Sequence, residues 1–178
     1  MMDWLIQDSR RLEHIAHPST EMALAAMRAL AAEGFAPRRI LDIGCGSGLL
    51  SLAAAELWPE ASIIAGDISA QAVADTQANI DRYELGQRIR VLRSDALSHP
   101  EIVAAAPHDL ILANLLAEIL ISSSRDLMSA LKPRGIALLA GILAWRGAQV
   151  QAAYKTLGAV IEQEFLSETW QALRIRRM

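Results

Sequence analysis

The chain has one cysteine, Cys45, among its 178 residues. It can form no internal disulfide and no cysteine-rich zinc site, and no metal site is expected. Charge of one sign is also lacking. Seventeen Lys and Arg face twenty Asp and Glu, a formal net charge of −3. That balance argues against a general polyanion binder, so nucleic acid is not an expected partner, although a local basic groove stays open. Long apolar runs are missing as well. Stretches such as 138–144 are too short to cross a bilayer. The start, Met1-Met2-Asp3-Trp4, has no signal-peptide core. The length suits one domain, which excludes a long multidomain enzyme. A soluble, cytoplasmic domain that meets no membrane is expected.

Alternating helix and strand patterns fill the rest. Ser19 or Thr20 can cap a helix running to about Ala32, with Glu21 in its first turn. Strands are expected at 39–43, 61–66, 88–92, 109–113 and 136–142. Helices are expected at about 48–57, 69–83, 99–105, 115–131 and 144–157. Residues 159–166 and 170–175 read as a terminal strand pair around Ser167-Glu168. Apolar strands alternating with helices mean an α/β fold, a parallel sheet covered on both faces. Ligands of such sheets sit outside the carboxyl ends of the strands, at the switch point.

Asp42-Ile43-Gly44-Cys45-Gly46-Ser47-Gly48 lies between the first strand and its helix. The dinucleotide fingerprint would need glycine at 49, where Leu49 stands, and the Gly-Lys-Ser/Thr ending of a phosphate loop is absent. A carboxylate at Asp42 would repel phosphate and suit a cationic group. Asp67 follows nineteen residues after Gly48. It either caps a helix or accepts hydrogen bonds from both hydroxyls of a ribose. A ribose, a cationic end and no phosphate describe S-adenosylmethionine. Asp95 is a turn residue or a reader of the adenine amino edge. Ile68 and Ala96 are core or contacts to the ring.

These residues resemble the class I methyltransferases that depend on S-adenosylmethionine. More narrowly, they are similar to the catalytic domain of ribosomal protein L11 methyltransferases. The likeness is carried by His17-Pro18-Ser19-Thr20, by Ile40-Leu41-Asp42-Ile43-Gly44-Cys45-Gly46-Ser47-Gly48-Leu49-Leu50, by Asn114-Leu115-Leu116-Ala117, by Ala140-Gly141-Ile142-Leu143 and by Glu168-Thr169-Trp170. It covers about residues 17–178. It implies a Rossmann-like sheet of seven strands, mostly parallel, with one antiparallel strand and helices on both faces. It places Thr20, Gly44, Asp67 and Asn114 at cofactor-contacting positions, beside Asp42, Gly46, Gly48, Ile68, Asp95 and Ala96. Two departures stand out. Residues 11–16 lack the family's glycine-rich Phe-Gly-Thr-Gly. Only sixteen residues precede His17, so a single domain with residues 1–16 as an extension is expected, without the family's recognition domain.

Asn114 is expected to be catalytic, orienting an incoming N–H, or to cap the following helix. Thr20 carries the same ambiguity. Methyltransferases for adenine N6 or glutamine N5 place Pro-Pro-Tyr/Phe after this residue. Leu115, Leu116 and Ala117 offer no such stacking platform, which favours an aliphatic amine. His17 is a proton acceptor or a packed histidine, and Trp145 and Trp170 pack or line the substrate mouth. The expected activity is N-methylation of a protein amine, a lysine or an N-terminus. The alternatives are a small-metabolite or RNA methyltransferase, or a cofactor-binding subunit that needs a partner.

Overall fold

Successive residues of the central strands are apolar, the pattern of strands buried on two faces. The computed structural model describes residues 17–178, so the expected extension 1–16 lies outside the described residues. Its strands are β1 (Arg39–Ile43), β2 (Ser62–Asp67), β3 (Ile89–Arg93), β4 (His108–Asn114), β5 (Leu131–Leu143), β6 (Ala159–Leu166) and β7 (Trp170–Arg177). They form one sheet in the order β3-β2-β1-β4-β5-β7-β6. Strands β1 to β5 pair in parallel, and β7 runs antiparallel between β5 and β6. The helices are α1 (Pro18–Ala32), α2 (Leu49–Leu57), α3 (Ala70–Arg82), α4 (Pro100–Ala105), α5 (Ala117–Ser122), α6 (Ser124–Ala130) and α7 (Gly147–Lys155). The α/β, mostly parallel seven-stranded architecture is the expected one. Among the described residues, no helix is long and apolar enough to cross a membrane.

The sheet separates two cores. Helices α1 to α3 cover one face, where Met27, Leu30, Leu50 and Ile80 meet Ile40, Ile63, Leu110 and Leu138. Helices α4 to α7 cover the other, where Ile102, Leu120, Leu127 and Tyr154 meet Leu41, Ile111, Leu139 and Leu173. Side chains alternate across a strand, so sequence neighbours Leu110 and Ile111 fall in different cores. Each fully buried side chain of this size contributes about 1.5–3 kcal/mol.

Several local features differ from expectation. Helix α1 is capped by His17, not by Ser19 or Thr20. The His17 Nδ1 accepts from the Ser19 N–H at 3.4 Å and lies 2.9 Å from its hydroxyl. Pro18 follows at the first helical position, where its missing N–H costs nothing. Helix α4 repeats the device with His99 and Pro100, the His99 Nδ1 accepting from the Glu101 N–H at 3.2 Å. The expected helix over 115–131 is two helices that break at Ser123. Hydroxyls of Ser122 and Ser123 both donate to the Ile119 carbonyl, competing with the helical ladder. Strand β5 starts five residues early, at Leu131. Pro133-Arg134-Gly135 forms an irregularity within it, with Arg134 at φ 64°. Asp109 clamps that irregularity through Lys132 at 2.6 Å and the N–H groups of Arg38 and Arg39. The helix expected at 144–157 is a 3₁₀ turn, Ala144–Arg146, followed by α7.

Candidate functional site

Strand order reverses between β1 and β4, so the loops after these strands flank a crevice. The two loops touch. A Cβ on Gly44, which has φ 70°, would collide with the Leu115 side chain. Only glycine tolerates both that backbone conformation and that approach. Beyond the contact lies a pocket of about 290 Å³, walled by His17, Thr20, Gly44, Cys45, Gly46, Ser47 and Asn114, with Leu49 and Leu50.

Thr20 and Asn114 are ninety-four residues apart in sequence and meet in this wall. The Asn114 Nδ2 donates to the Thr20 Oγ1 at 2.9 Å. This bond fixes the start of α1 over the end of β4. It uses the amide's donor and leaves its carbonyl oxygen as an acceptor. Asn114 is the last residue of β4 and caps no helix, because α5 begins at Ala117 behind Leu116. Thr20 lies inside the first turn of α1 and is likewise not its cap.

Asp67 ends β2 beside the glycine loop. Its Oδ2 accepts from the Gly46 N–H at 3.0 Å, and its Oδ1 accepts from the Ser69 N–H at 2.9 Å. A carboxylate has about four lone-pair sites, so capacity for two hydroxyl donors remains. The Ala72 N–H goes to the Ser69 hydroxyl, which makes Ser69 the cap of α3.

Four of the loop's N–H groups have partners. Those of Gly44 and Cys45 go to the Gly66 carbonyl, that of Gly46 to Asp67, and that of Gly48 to the Cys45 carbonyl. A phosphate cradle would need such groups free. Two α3 side chains hold the loop from behind. The Thr76 hydroxyl donates to the Gly46 carbonyl and the Asn79 amide to the Ser47 carbonyl, each at 2.9 Å. Sequence reasoning missed both, although their spacing puts them on one face of α3. It also missed the walls made by Cys45, Ser47, Leu49 and Leu50.

Asp42 departs from its expected place. It is 1% exposed and lies beneath the loop, outside the pocket wall. Its Oδ2 accepts from the Ser51 hydroxyl at 2.6 Å, while its Oδ1 has no hydrogen-bond partner among the described residues. Burial pushes this carboxyl up to about 6, against the opposing Ser51 bond and with a smaller push from Asp67. Burial, then the charge of Asp42, raises the Cys45 thiol to about 12, so it is no nucleophile. Gly48 caps α2 at φ 82° and packs against Thr76 rather than facing the pocket.

Ile68 follows Asp67 and is 63% exposed. Asp95 and Ala96 line a separate cavity of about 570 Å³ with Leu97, Ile102 and Val103. The His17 ring lines the pocket and lies against Ser19 through Nδ1. The ring meets Trp170 edge to face, with centroids 4.7 Å apart.

The arrangement fits a ligand with a ribose and a positive end. Asp67 can accept hydroxyls, four of the loop's N–H groups are already paired and so not offered to a phosphate, and the ionised Asp42 carboxylate favours positive over negative charge nearby.

A family model described as ribosomal protein L11 methyltransferase (PrmA) matches residues 16–178. A ribosomal protein L11 methyltransferase of Rhodopseudomonas palustris strain BisB5 is 33% identical over 141 residues, which is 79% of this chain and 48% of that protein. Another, from Methylococcus capsulatus, is 36% identical over 157 residues, 88% of this chain and 50% of that protein. The crystal structure of a ribosomal protein L11 methylase from Lactobacillus delbrueckii subsp. bulgaricus matches with a TM-score of 0.81 at 27% identity, over 92% of this chain and 81% of that one. The chain spans about half the length of the curated relatives it matches.

Proposed function

Because the chain belongs to the ribosomal protein L11 methyltransferase family, we propose that it is an S-adenosylmethionine-dependent N-methyltransferase acting on a protein amine. A lysine of a ribosomal protein of the L11 type is the acceptor that the relatives' names support. An N-terminal amine has the same chemistry. Such an acceptor implies work in the cytoplasm.

One observation carries the proposal. Asp67, the glycine loop and the Thr20–Asn114 pair converge at the switch point of the sheet. When bound, S-adenosylmethionine supplies a methyl group activated by its positively charged sulfur. Asp67 would hold the ribose hydroxyls, and Asp42 would supply a negative field toward the cationic end. Ile68 would flank the ring, while Asp95 and Ala96 line the separate cavity and do not wall this pocket. A neutral amine is already a nucleophile, so the protein mainly aligns and desolvates it. The Asn114 carbonyl oxygen accepts a hydrogen bond from that amine, with the side chain held in place by Thr20.

The test is methyl transfer from labelled S-adenosylmethionine. The purified chain is incubated with ribosomal protein L11, with ribosomal RNA and with a small-molecule extract, and label is located by mass spectrometry. Label on protein lysine or the N-terminus is the expected outcome. Label confined to RNA or to metabolites would overturn the proposal.

A further inference from the structure

Large apolar side chains are normally covered, and a cluster left in solvent marks a contact surface. Beside the pocket, Leu116 is 62% exposed, Ile119 42% and Trp145 70%. Leu116 and Ile119 stand at i and i+3 across the start of α5, so they share a face. Trp145 belongs to the 3₁₀ turn after β5. Arg146 joins the two parts. Its guanidinium carbon lies 5.1 Å from the Trp145 ring centre, and its Nη1 meets the Glu118 carboxylate at 2.9 Å. The patch continues directly into the site, since Leu116 lies two residues beyond Asn114.

Three exposed carboxylates belong to the segments around the patch. Glu118 is exposed on α5. Glu168 is exposed in the β6–β7 turn, where the next residue's carbonyl accepts the Ala144 N–H at 2.9 Å. Glu21 is exposed one residue after Thr20. The neighbouring cation, Arg146, is already paired with Glu118. Apolar anchors flanked by the exposed carboxylates of Glu21 and Glu168, with Glu118 holding Arg146, complement a basic, apolar polypeptide.

We propose that Leu116, Ile119 and Trp145 form a docking surface for the polypeptide carrying the methyl acceptor, and that the segment it takes combines basic and large apolar side chains. The inference rests on the proposed function, because it names how that acceptor is held. Trp145 is the central anchor, since buried tryptophans dominate contact energies. None of these three side chains lines the pocket at the glycine loop, so changes here should act on the acceptor and spare the cofactor.

The test uses the whole chain and a fluorescein-labelled peptide of alternating leucine and lysine. A control peptide has glutamate in place of lysine, and a uridine oligonucleotide competes. Anisotropy should report binding of the basic peptide, weaker at high salt. Trp145→Ser and Ile119→Ser should each weaken it about fivefold or more. Both positions are exposed, and unchanged thermal melts will confirm that the variants fold. Affinity for S-adenosylmethionine, measured by calorimetry, should be unchanged in both. Equal binding of the acidic peptide, insensitivity to both substitutions, or displacement by the oligonucleotide would each overturn the docking surface. Failure of the unaltered chain to bind S-adenosylmethionine would instead sink the proposed function, and the anisotropy would still decide the surface.

Discussion

Asp42 occupies a place where an ionised carboxylate is costly. Its folded-state value of about 6 lies above the ordinary 3.8. The folded chain therefore holds this proton more tightly between about pH 4 and pH 6, and stability falls as pH rises through that window. Asp42→Asn keeps an acceptor for Ser51 and removes the charge. It should stabilise the fold at neutral pH by about 1–3 kcal/mol in urea titrations. The same variant should bind S-adenosylmethionine more weakly, and affinity in the unaltered chain should rise as pH passes through about 6. A variant that is no more stable and binds equally well would remove the proposed field. Asp67→Ala deletes the proposed ribose acceptor and should weaken cofactor binding by about 1–3 kcal/mol in calorimetry. Asn114→Ala should depress kcat far more than cofactor affinity, and an unchanged kcat would strip Asn114 of its role. The residue types at 42, 67 and 114 were legible as chemistry. That Asp42 lies under the loop was not, because burial depends on Ser51 and α2 packing over it.

At the scale of elements, the strands read most plainly. The β6–β7 pair was legible because alternation flanks a polar turn at Ser167-Glu168. Helix ends were less so. Histidine is not among the usual N-cap residues, so the starts at His17-Pro18 and His99-Pro100 went unseen, although the proline was a visible sign. The apolar spacing through 116–131 spans the break at Ser123, because the periodicity persists while serine hydroxyls take the carbonyls. His17→Ala removes a cap and should cost about 0.5–2 kcal/mol. It should also lower kcat, since α1 presents Thr20 to Asn114. His99→Ala removes the same kind of cap from α4 and should lower the melting temperature while kcat at saturating cofactor holds. Equal effects of the two variants on kcat would show that the α1 cap has no catalytic consequence.

Across the whole molecule, acid should act through groups far from the pocket. His108 is buried at the start of β4, and among the described residues neither ring nitrogen is within good hydrogen-bond geometry of a partner. Burial pushes its imidazole from 6.5 down to about 4. The unfolded chain therefore takes up this proton first, and the stabilisation present above 6.5 is lost as pH falls toward 4. Burial alone would raise Glu162, but Arg176 and Arg174 outweigh it and hold that carboxyl below its ordinary range. Its contribution is lost at lower pH still. His108→Leu should reduce the drop in urea midpoint between about pH 7 and pH 5, and an undiminished drop would exonerate His108. That a ligand would sit at the carboxyl ends of the strands, near the switch point, was legible from strand–helix alternation. The cross-chain contacts of Thr20 and Thr76 were not, because they depend on how α1 and α3 pack on the sheet. The sheet also partitions what evolution can change. Ser51, Thr76 and Asn79, which brace Asp42 and the glycine loop, ride on the helices of one face, as does Thr20 on α1. Leu116, Ile119 and Trp145 belong to segments that feed the other. Substitutions without shared partners combine additively. A lineage can therefore rebuild the proposed acceptor surface while inheriting the proposed cofactor site unchanged.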